Sequence, residues 1–141
     1  MKKILITFLL LFAFVSSIFS QQVSPAAAEK REQRKNMTIK EWNTNVGSKV
    51  PFLDHVTTYD EYGRKIEEIE YTTYGQKERV VSEYGPEPTS KCIRDIVYND
   101  RDRVQRIRKY EYYEDGTKKK QYNYYPNGKL ESVKNYEYIF Q

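Results

Sequence analysis

The sequence predicts an all-β protein: an antiparallel meander of hairpin repeats forming one open twisted sheet or a short β-solenoid, with a short N-terminal helix or linker. Three observations carry this expectation. Turn signals recur from Asp60 onward at a spacing of about 12 to 14 residues, the rhythm of short hairpins. The segments between them are rich in Tyr, Val, Ile and Thr, which fit a pleated, half-buried surface. Gly, Asn or Asp also interrupts the chain too often for a helix of useful length.

The first twenty residues differ from the rest. Lys2 and Lys3 precede an almost wholly apolar run from Ile4 to Phe19, and small Ser20 follows. That order is the pattern of a secretory signal peptide, with cleavage expected after Ser20. The run falls short of the roughly 20 residues a membrane-spanning helix needs. The expectation is an exported chain in the periplasm, at the cell surface or outside the cell, with no membrane span once residues 1–20 are removed.

Export and composition narrow the partners. Losing Lys2 and Lys3 takes the formal charge from +4 to +2, far from the concentrated cationic face that nucleic acid requires. All 14 tyrosines lie at Tyr59 or later, whereas Leu and Phe are scarce. The rings must therefore supply much of the buried area while their hydroxyls stay wet, which suits a thin sheet. Cys92 is the one cysteine, so no internal disulfide forms. A buried thiol and an intermolecular bridge both fit it.

Residues 21–49 read as a polar leader. Ser24 and Pro25 form a helix start, and Ala26, Ala27 and Ala28 extend it. No apolar stripe follows; Met37, Ile39 and Trp42 come nearest to one. The segment is read as a solvated helix or linker, with a cap on the sheet as the alternative. Residues 50–141 form the tyrosine-rich hairpin domain, with about seven strands.

The turns carry their own mechanism. In Tyr125-Pro126-Asn127-Gly128-Lys129, proline presets the first turn dihedral and glycine takes the left-handed position. A three-residue loop there sets Tyr124 opposite Leu130. Glu114-Asp115-Gly116 acts likewise and pairs Tyr112 with Lys118. Gly85-Pro86-Glu87-Pro88 is longer and proline-broken, so its hairpin is expected to be irregular. Downstream of three turns the apolar residues step by three: Ile66 and Ile69, Val104 and Ile107, Leu130 and Val133. A flat strand has period two, so either a bulge intervenes or both faces are partly buried.

The segment Tyr59-Asp60-Glu61-Tyr62-Gly63-Arg64-Lys65-Ile66 resembles a YD (RHS-type) repeat. So does Tyr98-Asn99-Asp100-Arg101-Asp102-Arg103-Val104, with Asp102 where glycine is expected. Tyr113-Glu114-Asp115-Gly116 and Tyr125-Pro126-Asn127-Gly128-Lys129-Leu130 resemble the MORN-variant hairpin repeats of bacterial exported proteins. The resemblance covers about residues 55 to 139. It implies binding, structural or shell-forming roles, with no catalytic residues to carry over.

No catalytic, cofactor or metal motif stands out. His55 is the only histidine, with no nucleophile nearby in sequence, and one His with one Cys is a poor start for zinc. Charge is patterned: residues 54–70 carry a net −4 and residues 100–120 a net +3. Cross-strand pairing on a wet face accounts for this, and self-association through opposite-signed ends is compatible with it.

The tyrosines are the functional lead. Tyr110 with Tyr112, Tyr122 with Tyr124, and Tyr136 with Tyr138 are two apart, so each pair shares a face. On adjacent strands they are expected to make one aromatic field, either a core or a contact surface. The functional expectation is a non-enzymatic interaction or structural module of the bacterial envelope that binds protein. The alternative is a carbohydrate-binding module stacking a cell-envelope glycan on those rings.

Overall fold

A computed structural model describes residues 22–141; the expected signal peptide lies outside the described residues. A helix, α1 (Pro25–Glu32), precedes eight strands: β1 (Thr38–Asn43), β2 (Phe52–Tyr59), β3 (Lys65–Thr72), β4 (Gly75–Tyr84), β5 (Cys92–Tyr98), β6 (Val104–Tyr112), β7 (Lys118–Tyr124) and β8 (Leu130–Asn135). They form one open antiparallel sheet in sequence order. Among the described elements the backbone of each strand lies close only to that of the strands beside it, so no second layer covers either face, although Arg106 on β6 reaches over β7 to Glu131 on β8 at 2.9 Å. No helix among the described residues is long and apolar enough to cross a membrane.

Seven strands fall within residues 50–141. The eighth, β1, comes from the leader and corrects the reading of that segment. Thr38–Asn43 pairs along β2, with Ile39 opposite Thr57 and Trp42 opposite Leu53. An edge strand of a single layer is wet on both faces, and five of the six residues here are exposed. No alternation is therefore written into its sequence.

The helix forms as its sequence indicates. Ser24 Oγ accepts from the Ala27 N–H at 3.3 Å, and Pro25 occupies the first helical turn. Arg31 ties it to the sheet, donating to the carbonyls of Pro88 (3.0 Å) and Ser90 (2.9 Å). Its guanidinium stands 5.6 Å from the Tyr84 ring centroid, and Arg64 stands 4.9 Å from the same ring. Gln22 bridges to Ser90, and the Val23 N–H donates to the Thr89 carbonyl at 3.0 Å. The leader is thus laced across the loops that follow β2 and β4.

The turns close as expected. Tyr124 faces Leu130, and Tyr112 faces Lys118. Gly63, Gly116 and Gly128 all have positive φ, and Asp102 takes the same region at φ 58° where a glycine was anticipated. One device escapes a reading by residue type. Asp60 Oδ1 accepts from the N–H groups of Tyr62 and Arg64, both at 2.9 Å. Asn99 Oδ1 accepts from those of Arg101 and Arg103, both at 3.0 Å. The Asp or Asn after a strand-ending tyrosine therefore closes the turn with its own side chain.

All seven strand pairs carry one register shift. In five of them the extra residue is the second of the later strand as it leaves the turn, and in β2 and β4 it is the third, Asp54 and Lys77. Tyr98 faces Val104 and Val97 faces Arg106, leaving Gln105 unmatched. This bulge explains the step of three. Val104 and Ile107 oppose Tyr98 and Ile96, which are two apart and share a face. Leu130 and Val133 oppose Tyr124 and Tyr122 in the same way. After β2 the bulged residue is Ile66 itself, so the pair Ile66 and Ile69 is a different arrangement.

Candidate functional site: the two faces of the sheet

Register assigns every strand residue to one of two faces, because directly paired residues project to the same side. On the first, Thr57, Glu68, Val80, Val97 and Arg106 form one row across five strands. Ser82, Asp95, Arg108, Asn123 and Ser132 form the next. Thr57, Val97, Gln121 and Asn123 are buried on this face, Val97 to 2% exposure. With no second layer, such burial requires the sheet to curl around its own side chains; we call this the inner face. A groove of about 400 Å³ runs along it, lined by His55, Glu68, Glu78, Asp95, Arg108 and Tyr110 among others.

The centre of the inner face is a hydrogen-bond cluster. The Asp95 carboxylate accepts from the Ser82 hydroxyl (2.7 Å), the Tyr110 hydroxyl (2.5 Å) and the Cys92 thiol (3.2 Å). Tyr112 donates to the Cys92 carbonyl and Tyr84 to the Lys65 carbonyl. A second chain runs from Tyr136 to Gln121, on to Asn123 and then to Ser132, each link between 2.9 and 3.1 Å. Among the described residues no buried side-chain N or O atom lacks a partner. Bonded networks of this kind are how polar groups tolerate burial.

This cluster holds protons. Burial pushes the Cys92 thiol up to about 12, and the neighbouring Asp95 charge adds to the shift. Burial also raises the phenols of Tyr84, Tyr110 and Tyr112 above their ordinary value. A thiol that stays protonated is a poor nucleophile, and this one donates to Asp95 within the cluster. His55 lies at the groove's rim, and its pKa is raised mainly by the hydrogen bond to Asp54 at 2.8 Å. No group of three or more His, Cys, Asp or Glu that could hold a metal occurs among the described residues.

The opposite, outer face carries the aliphatic residues. Val81, Ile96, Ile107, Tyr124 and Leu130 sit side by side across five strands. Val56 with Ile69 and Tyr122 with Val133 extend the patch. Leu130 is 53% exposed, and Val104 and Val133 are also exposed. The polarity is thus inverted relative to an ordinary sheet: the curled, buried side is hydrogen-bonded and the open side is oily.

The six tyrosines read as one field are divided between these faces. Tyr110 and Tyr112 share the inner face as expected, with ring centroids 6.4 Å apart and tilted 43°. Tyr122 and Tyr124 lie on the outer face, because Tyr110 pairs with Gln121 and not with Tyr122. An offset of one residue reverses the side, and the loop between β6 and β7 sets that offset. Tyr136 reaches Gln121 on the inner face, and Tyr138 meets Tyr113 edge-on at 6.4 Å beyond β8. No single aromatic field exists.

Cations already cover many rings. Arg34 stands over Tyr59, Arg64 over Tyr62, Arg79 over Tyr98, Lys91 over Tyr112, Lys109 over Tyr124, and Lys118 over Tyr110, all within 5.4 Å of the centroid. Sequence reading finds the tyrosines and the basic residues but not this pairing, which needs the strand register. Compared with known proteins, the chain matches no protein-family model and no curated protein.

Proposed function

We propose that this chain is an exported, non-enzymatic interaction module that binds protein through the outer face of its sheet. The observation carrying this reading is the row Val81, Ile96, Ile107, Tyr124 and Leu130 on the outer side of the curled sheet, which no second layer covers. An apolar centre rimmed by charge is the usual anatomy of a protein contact surface. Here the rim is Glu67, Arg79, Glu83, Arg94 and Lys109, with Arg79 bonded to Glu67 and Arg94 to Glu83. The signal-like N-terminus and the resemblance to YD and MORN-variant repeats support an exported binding or structural role.

The cations standing over the tyrosines favour protein over glycan. A sugar stacks on an open ring face, and of the six tyrosines Tyr110, Tyr112 and Tyr124 each already have an ammonium group of the chain over the ring. The test is capture from envelope extract with three immobilised proteins: the wild type, Ile107→Lys on the outer face, and Tyr110→Phe on the inner face. The reading expects a discrete protein retained by wild type and Tyr110→Phe and lost with Ile107→Lys. Equal capture by all three, or capture of glycan alone, would overturn it.

A further inference from the structure

We propose that copies of this chain join edge to edge, β8 of one copy pairing antiparallel with β1 of the next, to continue the sheet. The inference uses the sheet edges and stands apart from the outer-face reading above. Among the described residues, β1 and β8 each have a strand on one side only. Neither carries a proline, and the bulge beside β1 lies on β2 at Asp54, leaving the outward side of β1 regular. Unpaired, regular edges are templates for strand addition.

Backbone geometry fixes which groups point outward. The Tyr59 N–H donates to the Met37 carbonyl, so by alternation Met37, Ile39 and Glu41 bond towards β2 while Thr38, Lys40 and Trp42 point away. At the other edge the Tyr136 N–H donates to the Lys119 carbonyl, so Lys134 bonds towards β7 while Val133 and Asn135 point away. On both edges the outward-bonding residues project their side chains to the outer face. A second copy therefore docks with its inner face on the same side, and the sheet runs on without a flip. Because the strand number is even, β8 and β1 run in opposite directions, as antiparallel addition requires.

Side chains choose the register. Setting Val133 opposite Trp42 pairs two outward, exposed apolar residues on the outer face; Trp42 is 63% exposed. The same register sets Lys134 opposite Glu41 on the inner face and Asn135 opposite Lys40. It also sets Tyr136 opposite Ile39. Neither Lys134 nor Glu41 is in an ion pair among the described residues. A shift of two residues either way breaks both the apolar match and the charge match. The contact is head to tail, so it propagates as an open array and does not close at a dimer.

The test uses the mature chain in two measurements. Sedimentation at rising concentration is expected to show mass increasing beyond a dimer. Lys134→Glu is expected to weaken association roughly five- to tenfold, the effect of turning a cross-strand attraction into a repulsion. Adding Glu41→Lys to Lys134→Glu is expected to restore it, which a misfolded variant cannot do. Separately, Glu41→Cys and Lys134→Cys proteins are expected to cross-link on oxidation when mixed, and neither alone. A monomer at all concentrations, a cross-link formed by either single variant alone, or a cross-link within one chain carrying both cysteines would overturn the proposal.

Discussion

The carbonyl oxygen of Arg31 lies 1.8 Å from the point where a β-carbon on Gly63 would stand. The end of the leader helix therefore rests directly on the turn between β2 and β3, and it does so because residue 63 has no side chain. Gly63 also has φ 71°, a region L-residues enter at a cost of roughly 1–2 kcal/mol. Gly128 has a similar φ, 85°, but open space around it. Gly63→Ala is thus expected to destabilise by more than about 2 kcal/mol and Gly128→Ala by about 1 kcal/mol. Urea melts of the two variants decide the matter; equal losses would show that the helix does not sit on this turn.

Arg31 is the second point of attachment. Replacing it with Met removes two charged hydrogen bonds to loop carbonyls and is expected to cost about 2 kcal/mol. Arg34→Met, which loses only the position over Tyr59, is expected to cost less than about 1 kcal/mol. Removing residues 22–45 takes away β1 and both anchors together. That fragment is expected to melt at lower temperature and with less cooperativity than residues 22–141, by circular dichroism.

Stability is expected to fall in alkali. Cys92, Tyr84, Tyr110 and Tyr112 all have raised pKa values in the folded state, chiefly through burial. A raised acid keeps its proton on folding, so its contribution is whole below the unfolded value and is lost as pH climbs towards the folded one. The loss should begin near pH 9, the ordinary value of the thiol, and steepen above pH 10, that of the phenols. Denaturant midpoints measured from pH 7 to 11 test this. A flat profile would place these side chains in water.

The same burial predicts slow thiol chemistry. At pH 8 Cys92 in the folded protein is expected to react with a disulfide reagent at least about tenfold more slowly than after denaturation. Rapid native labelling would contradict the hydrogen bond from its thiol to Asp95.

The tyrosine pairs are expected to separate by face. Tyr110→Ser with Tyr112→Ser removes two half-buried rings and their hydrogen bonds, and should cost several kcal/mol, roughly 4 or more. Tyr122→Ser with Tyr124→Ser, on the open face, should cost about half as much. Calorimetry of the two double variants gives the comparison directly.

Most of the fold could be read from residue types because hairpin chemistry is local. Pro126-Asn127-Gly128 dictates its turn, and the turn dictates that Tyr124 meets Leu130. The bulge was half visible: the step from Val104 to Ile107 demanded one, but only pairing shows Gln105 to be the extra residue. The strand at Thr38–Asn43 was hidden because an exposed edge needs no alternation. The division of the tyrosines was hidden for another reason. Which face Tyr122 takes depends on a one-residue offset across the β6–β7 turn, and side-chain period alone does not carry that offset.

Because the backbone of each strand pairs only with its neighbours, the sheet behaves like a zipper with eight teeth. Cooperativity in such a chain passes only from strand to strand, and loss starts where a strand has one neighbour. Amide exchange should accordingly grade across the molecule, slowest in β4 and β5 and fastest in β1 and β8. Lengthening the sheet at either edge would shift that gradient outward and protect the strands that were formerly last.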